Sequence, residues 1–189
     1  MAAPARHSRM TVGEFLRWED GTDTRYELVH GAIVAMAPPT GRHGEIARNI
    51  FRALDGRVRA PCRALFGVGV AGGESAEDCR LPDVLVTCEP SPVRVFTAPR
   101  LLVEVLSPST EKDDRTDKLD FYKSLPSVDA VLLVWQDKRR AQLNLRHEPG
   151  WLVRDLVGGG QIELPELGSA LTLDEIYEGV ELPEPVLPD

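Results

Sequence analysis

No run of apolar residues in this sequence approaches the ~20 that a membrane-spanning helix needs, and the Ala-, Pro- and Arg-rich start, Met1 to Met10, has no apolar core of signal-peptide length. A soluble, cytoplasmic protein with no membrane partner is therefore expected. Cysteine is scarce. Cys62, Cys79 and Cys88 form no Cys-x-x-Cys pair, and any one disulfide leaves a cysteine over, so all three are read as plain thiols in a reducing compartment. Basic residues are missing from one end: Gln161 to Asp189 holds eight acidic residues and no Lys or Arg. That segment accounts for the whole formal charge of -8 and leaves the preceding part balanced, 22 basic against 22 acidic. There is no long basic tract, internal repeat or low-complexity stretch. Gly158-Gly159-Gly160 follows a strand-like segment and opens no helix, so it is a loop, and no nucleotide cofactor is implied.

What is present suffices for one folded domain: 189 residues, 42% of them hydrophobic. The expected layout is a disordered start (residues 1–10), a single domain (11–181) and an acidic, Pro-rich tail (182–189). Thr11-Val12-Gly13-Glu14 has capping-box spacing and opens a short helix through Asp20. Tyr26 to Val29 and Ala32 to Met36 flank His30-Gly31 as a hairpin, and a helix with Ile46, Ile50 and Leu54 on one face follows from about His43. Strands are expected over Ala64–Val70, around Asp83 and around Glu104. Thr110 and Asp113 have the spacing to cap the next helix, Asp113 to Leu125. Ala130 to Trp135 reads as a strand buried on both faces, Gln142–Arg146 with Trp151–Val157 as a closing hairpin, and Thr172–Glu178 as a last helix. The fold class is thus α/β, with a mixed sheet in the order helix, three strands, helix, strand, preceded by the N-terminal helix and hairpin.

Three charges interrupt the apolar pattern. Lys118 shares a helix face with Phe121, Tyr122 and Leu125, while Asp83 and Glu104 each lie mid-strand among branched apolar residues. Buried carboxylates are costly unless paired or bound to a metal, so two of them and an inward lysine suggest one polar site. Each also has a plain structural explanation. Asp83 after Pro82 suits a strand start, Glu104 and Lys118 could form a buried ion pair, and Lys118 could bridge to Asp114. Tyr122 and Trp135 read as core residues.

The segments Tyr26-Glu27-Leu28-Val29-His30-Gly31, His43, Pro82-Asp83-Val84 and Val103-Glu104-Val105-Leu106-Ser107-Pro108-Ser109-Thr110 occur together with Asp114, Lys118 and Tyr122. Jointly they resemble the Uma-type restriction endonuclease family of the PD-(D/E)XK nuclease superfamily, over nearly the whole chain. The resemblance implies a restriction-endonuclease-like core and metal-dependent hydrolysis of DNA, with Mg2+ (or Mn2+) held by Asp83 and Glu104. It also implies a lysine near the scissile phosphate. The superfamily places that lysine two residues after the glutamate, where this chain has Leu106; Lys118 is the candidate replacement, completing the set Asp83, Glu104 and Lys118. By the same resemblance His43 borders the site and Glu27 has an auxiliary role. From the residues alone His43 is a surface residue at a helix start, and Glu27 sits on the solvent face of a hairpin.

Two other classes stay open: a nuclease-like fold kept as a binding or regulatory module, and hydrolysis of another phosphate compound. Arg42, Arg48, Arg52, Arg57, Arg59 and Arg63 against Glu45 and Asp55 make a modest basic surface, with Arg42, Arg48 and Arg52 as candidate nucleic-acid contacts. So small a surface calls for a homodimer to double it, and the acidic tail could cover it.

Overall fold

A computed structural model of the chain describes residues 9–90, 94–108 and 114–183. Its centre is a six-stranded mixed sheet, in spatial order β11 (Gly150–Val157), β10 (Arg140–His147), β9 (Ala130–Trp135), β8 (Pro99–Leu106), β6 (Val84–Thr87) and β3 (Arg63–Leu65). The β8–β9 pair is parallel and the others antiparallel, because β8 and β9 are joined by a helical crossover and the rest by shorter links. Both middle strands are buried on both faces, as their near-continuous apolar sequences require.

Helix α2 (Gly41–Asp55) packs Ile46, Ile50 and Leu54 on one face of this sheet, against Val84, Val86, Val103, Val105, Leu132 and Val134. Thr40 caps it, its hydroxyl accepting from the His43 N–H, so the helix starts two residues earlier than the apolar spacing indicated. The other face is covered by a π-helical turn (Asp114–Lys118) that runs into α3 (Leu119–Ser124). Leu119, Tyr122 and Leu125 pack there on Leu85, Leu102, Leu106, Val131, Leu133 and Trp135. The expected Thr110–Asp113 cap lies outside the described residues.

A second sheet has the order β2 (Ala32–Ala35), β1 (Tyr26–Val29), β5 (Cys79–Arg80), β4 (Gly69–Ala71) and β7 (Val95–Phe96). Helix α1 (Val12–Phe15) carries the Thr11–Glu14 capping box and buries Val12 beside Leu28, Ala71 and Cys79. It ends well short of Asp20. The β1–β2 turn places both His30 (φ 49°) and Gly31 (φ 78°) in the left-handed region, the demand that favours glycine in a two-residue hairpin turn. A two-stranded sheet, β12 (Gln161–Leu164) with β13 (Ser169–Thr172), precedes α4 (Leu173–Ile176) and adds Ile162, Leu164 and Leu171 to the α2 core. The sequence pattern did not reveal that pair.

Two expectations are corrected here. The expected strand Ala64–Val70 is two strands in two sheets, β3 and β4, because Gly67 at φ 68° turns the chain between them. The cysteines are not all thiols: Cys62 and Cys88 form a disulfide, their Cα atoms 3.9 Å apart. The β3–β6 ladder pairs Arg63 with Thr87, which sets the two flanking cysteines opposite one another, a proximity hidden by 26 residues of sequence. The cysteine pattern therefore ceases to argue for a reducing compartment. Cys79 remains a thiol, and burial pushes its pKa up to about 12. Among the described residues no helix is long and apolar enough to cross a membrane.

Candidate functional site

Asp83 and Glu104 meet across the β6–β8 ladder. Val84 pairs with Val103, so the next step along the register sets Asp83 beside Glu104. Asp83 is not mid-strand but the residue just before β6, and two backbone bonds seat it there. Its N–H donates to the Val103 carbonyl at 3.1 Å, and its Oδ2 accepts from the Val105 N–H at 2.7 Å. These two contacts bracket Glu104. His43, in the first turn of α2, lies with Nε2 2.8 Å from Asp83 Oδ1 and donates to that oxygen. Both side chains are mostly covered, at 17% and 19% exposure.

Glu104 is buried in the sheet, and two groups reach it from the helical crossover. The Tyr122 hydroxyl donates to Oε1 at 2.6 Å, and Lys118 Nζ stands 3.4 Å from Oε1 and 3.5 Å from Oε2. The same ammonium lies 3.2 Å from Glu27 Oε1, which also accepts the Leu81 N–H at 2.8 Å. Lys118 is thus shared by two buried carboxylates from different sheets. Leu106, where the superfamily would carry lysine, is sealed in the apolar cluster with Tyr122 and Leu133. The geometry forms two contact groups, His43 with Asp83 and Tyr122–Glu104–Lys118–Glu27, which the strand register sets side by side.

Glu27 corrects the sequence reading. It is buried rather than on a solvent face, because β1 is an interior strand flanked by β2 and β5 and not the edge of an isolated hairpin. Tyr122 is in the core as expected, but its hydroxyl belongs to the site. Gln136, buried just past β9, was not singled out; its Oε1 accepts from the Thr40 hydroxyl at 2.8 Å and ties the α2 cap to the sheet. Arg80, also buried, pairs with Asp78 at 3.0 Å and lies over the Phe121 ring, 6.0 Å from its centroid. A charged residue following a short Gly-rich loop gave no signal that would have found it.

The arginines of α2 and of the turn that follows it are partly engaged within the chain. Arg42 Nε donates to the Glu181 carbonyl at 2.8 Å, Arg48 to Asn49 at 3.2 Å, and Arg52 and Arg57 pair with Glu178 and Glu175. The Asn49 amide bonds the Ile176 and Glu178 carbonyls at 3.1 and 2.9 Å. The acidic C-terminal segment thus lies along α2 and withdraws part of the basic surface that the sequence pattern suggested.

Comparison with known proteins fits this architecture. Residues 12–175 match the model of the Uma2 family, described as "Putative restriction endonuclease". The chain belongs to the Uma2 family. Two proteins of Synechocystis sp. are similar along most of their length. Uncharacterized protein slr1290 is 29% identical over 91% of this chain and 93% of its own, and uncharacterized protein sll1609 is 26% identical over 79% and 88%. In three dimensions this Uma2 chain is similar to a crystal structure from Anabaena variabilis, titled a putative nuclease belonging to DUF820. The TM-score is 0.72 at 19% identity, covering 91% of this chain and 99% of that one. That likeness establishes that the two share a mixed α+β fold.

Proposed function

We propose that this protein is a divalent-metal-dependent endonuclease that hydrolyses DNA phosphodiester bonds. The supporting observation is the adjacency of Asp83 and Glu104 on neighbouring antiparallel strands, with Lys118 delivered to Glu104 from the crossover helix. Among the described residues no group of three or more His, Cys, Asp or Glu side chains has metal-site spacing. The donor chemistry nonetheless suits a hard cation. A carboxylate offers about four lone-pair positions, of which Asp83 uses one for His43 and one for Val105. Two adjoining carboxylates are oxygen ligands of the kind Mg2+ or Mn2+ takes. Such an ion, bound by Asp83 and Glu104, would neutralise charge at the phosphate and supply hydroxide near neutral pH.

The protein groups then have distinct tasks. Lys118 donates to the attacking water and faces the charge that develops on the phosphate oxygens. Glu27 positions Lys118, Tyr122 fixes the carboxylate plane of Glu104, and His43 fixes that of Asp83. The test is incubation of the purified protein with supercoiled plasmid and with single-stranded DNA in Mg2+ and in Mn2+, with chelator and Asp83→Ala as controls. Cleavage that needs both metal and Asp83 is the expected result; none from well-folded protein would discard the reading.

The Lys118 contacts also favour a second reading, a binding or regulatory module in which Glu27, Lys118 and Glu104 are a structural ion cluster. Stability with and without added metal separates the two. A structural cluster predicts that Mg2+ or Mn2+ leaves the melting temperature unchanged, whereas a metal site predicts that the ion raises it and that Asp83→Ala abolishes the rise.

A further inference from the structure

Phe66 is 66% exposed and is the one aromatic among the large exposed hydrophobics of the described residues; the others, Val34, Leu152, Val153 and Val157, are aliphatic. Its ring packs T-shaped with Phe51 of α2, centroids 5.0 Å apart and planes at 83°, which supports the ring on one side and leaves most of it open to solvent. Its position is tied to the carboxylate site by two strand registers. Leu65 pairs with Leu85 in the central sheet, and Val70 pairs with Arg80 in the second. Counted inward from either end, both registers bring Gly67 opposite Asp83, which sets Phe66 opposite Val84, the residue after the proposed metal ligand, with its ring on the α2 face of the sheet.

Arg25 completes this rim. The β1–β2 ladder continues past Tyr26 through a Met36 N–H to Arg25 carbonyl bond of 2.8 Å, so Arg25 is extended and points to the same side as Glu27, two residues on. Its Nη2 lies 3.7 Å from where a Cβ on Gly67 would stand. An exposed guanidinium and an exposed aromatic ring therefore flank Gly67, the residue that the register sets opposite Asp83.

We infer that Phe66 and Arg25 form a docking rim for an unpaired nucleotide next to the scissile phosphate, the base stacking on Phe66 and the backbone phosphate meeting Arg25. Stacking on an aromatic face requires a base out of its duplex, so the favoured substrate is single-stranded or locally opened DNA. The inference deepens the nuclease reading and rests on it for the role of the adjoining carboxylates, but it is tested by binding alone. The full-length protein in chelator is titrated into a fluorescently labelled oligothymidylate and into the same backbone carrying abasic sites. Phe66→Ala should weaken binding to the oligothymidylate roughly tenfold and leave abasic binding unchanged. Phe66→Trp should retain affinity and show indole quenching on binding. Arg25→Gln should weaken binding to both probes and lower the salt dependence by about one ion. Equal affinity of wild type and Phe66→Ala, equal affinity of wild type for the two probes, or no binding by wild type, would each overturn the rim. Cleavage in metal by a protein indifferent to Phe66 leaves the nuclease reading standing without it. Phe66-dependent binding with no cleavage does the reverse.

Discussion

The ammonium of Lys118 lies 3.2 Å from Glu27, a strand residue of the other sheet 91 positions earlier in the chain, while remaining 3.4 Å from Glu104. Lys118 is 12% exposed and Glu27 8%. Removing one partner of such a buried pair strands the other charge, which typically costs about 3 to 5 kcal/mol. Lys118→Met should therefore lower unfolding free energy in chelator by about 3 kcal/mol. Adding Glu27→Gln should recover part of that loss in a double-mutant cycle by urea denaturation. Additive single losses would show that the contact carries no coupling.

Tyr122→Phe deletes a single hydroxyl from a fully buried ring and leaves Glu104 short of its 2.6 Å donor. A hydrogen bond to a charged group contributes about 1.5 to 3 kcal/mol, so a loss near 2 kcal/mol is expected, with the fold retained. On the nuclease reading, cleavage should fall too, because Glu104 loses the contact that fixes its plane. Thermal melting and plasmid cleavage measured on the same preparation check both.

His43→Ala tests positioning of Asp83. Its ring is mostly covered and bonds the Asp83 carboxylate from the first turn of α2, so a stability loss of about 1.5 to 3 kcal/mol is expected with the fold retained. On the nuclease reading it also orients a metal ligand, and loss of such a group typically costs 10- to 100-fold in metal affinity or activity. The expected outcome is a fall of about that size in metal-dependent cleavage at a temperature where the variant is folded, and a much higher Mn2+ requirement in titration. Unimpaired cleavage would remove His43 from the site.

Acid sensitivity should trace to the α2–α4 contact. The Arg57 guanidinium, followed by the Thr172 bonds of the α4 capping box, holds the Glu175 carboxyl at about 2, below its ordinary 4.5. A carboxyl lowered on folding contributes stability that is fully present above its unfolded pKa and is lost as pH falls through the folded one. The contribution is thus intact above pH 4.5 and disappears toward pH 2. Glu175→Gln should flatten the dependence of urea stability on pH across that window and leave it unchanged near neutrality, apart from a constant offset.

Reduction should loosen the β3 edge. The Cys62–Cys88 bridge closes a loop with a sequence separation of 26, for which chain-entropy arguments give about 3 to 4 kcal/mol. Unfolding in urea with and without a reductant should show a loss of about that size. A Cys62→Ser, Cys88→Ser double variant should show the same loss and no response to reductant.

Much of this protein was legible in local pattern. The Thr11–Glu14 capping box, the Ile46, Ile50, Leu54 stripe and the continuous apolar run of β9 each answer to a few neighbouring residues, and each became the expected element. The joint motif pattern pointed to the family that residues 12–175 match. Asp83, Glu104 and Lys118 announced themselves because a charge inside an apolar period is costly to bury.

Tertiary structure alone decided what depends on register and on which strands become neighbours. Whether Glu27 faces water or Lys118 depended on β5 joining β1, and no residue near Glu27 encodes that pairing. The disulfide needed the β3–β6 ladder, and the split of the Ala64–Val70 stretch needed Gly67 to turn left-handed between two sheets. The engagement of Arg42, Arg52 and Arg57 with the acidic C-terminal segment joins parts of the chain more than 100 residues apart. A sequence specifies hydrophobic period and caps within a few residues, because those effects act over one turn or one strand. The partners of buried charges are fixed only when packing brings distant segments together, and here that step determined the surroundings of every ionised group in the site.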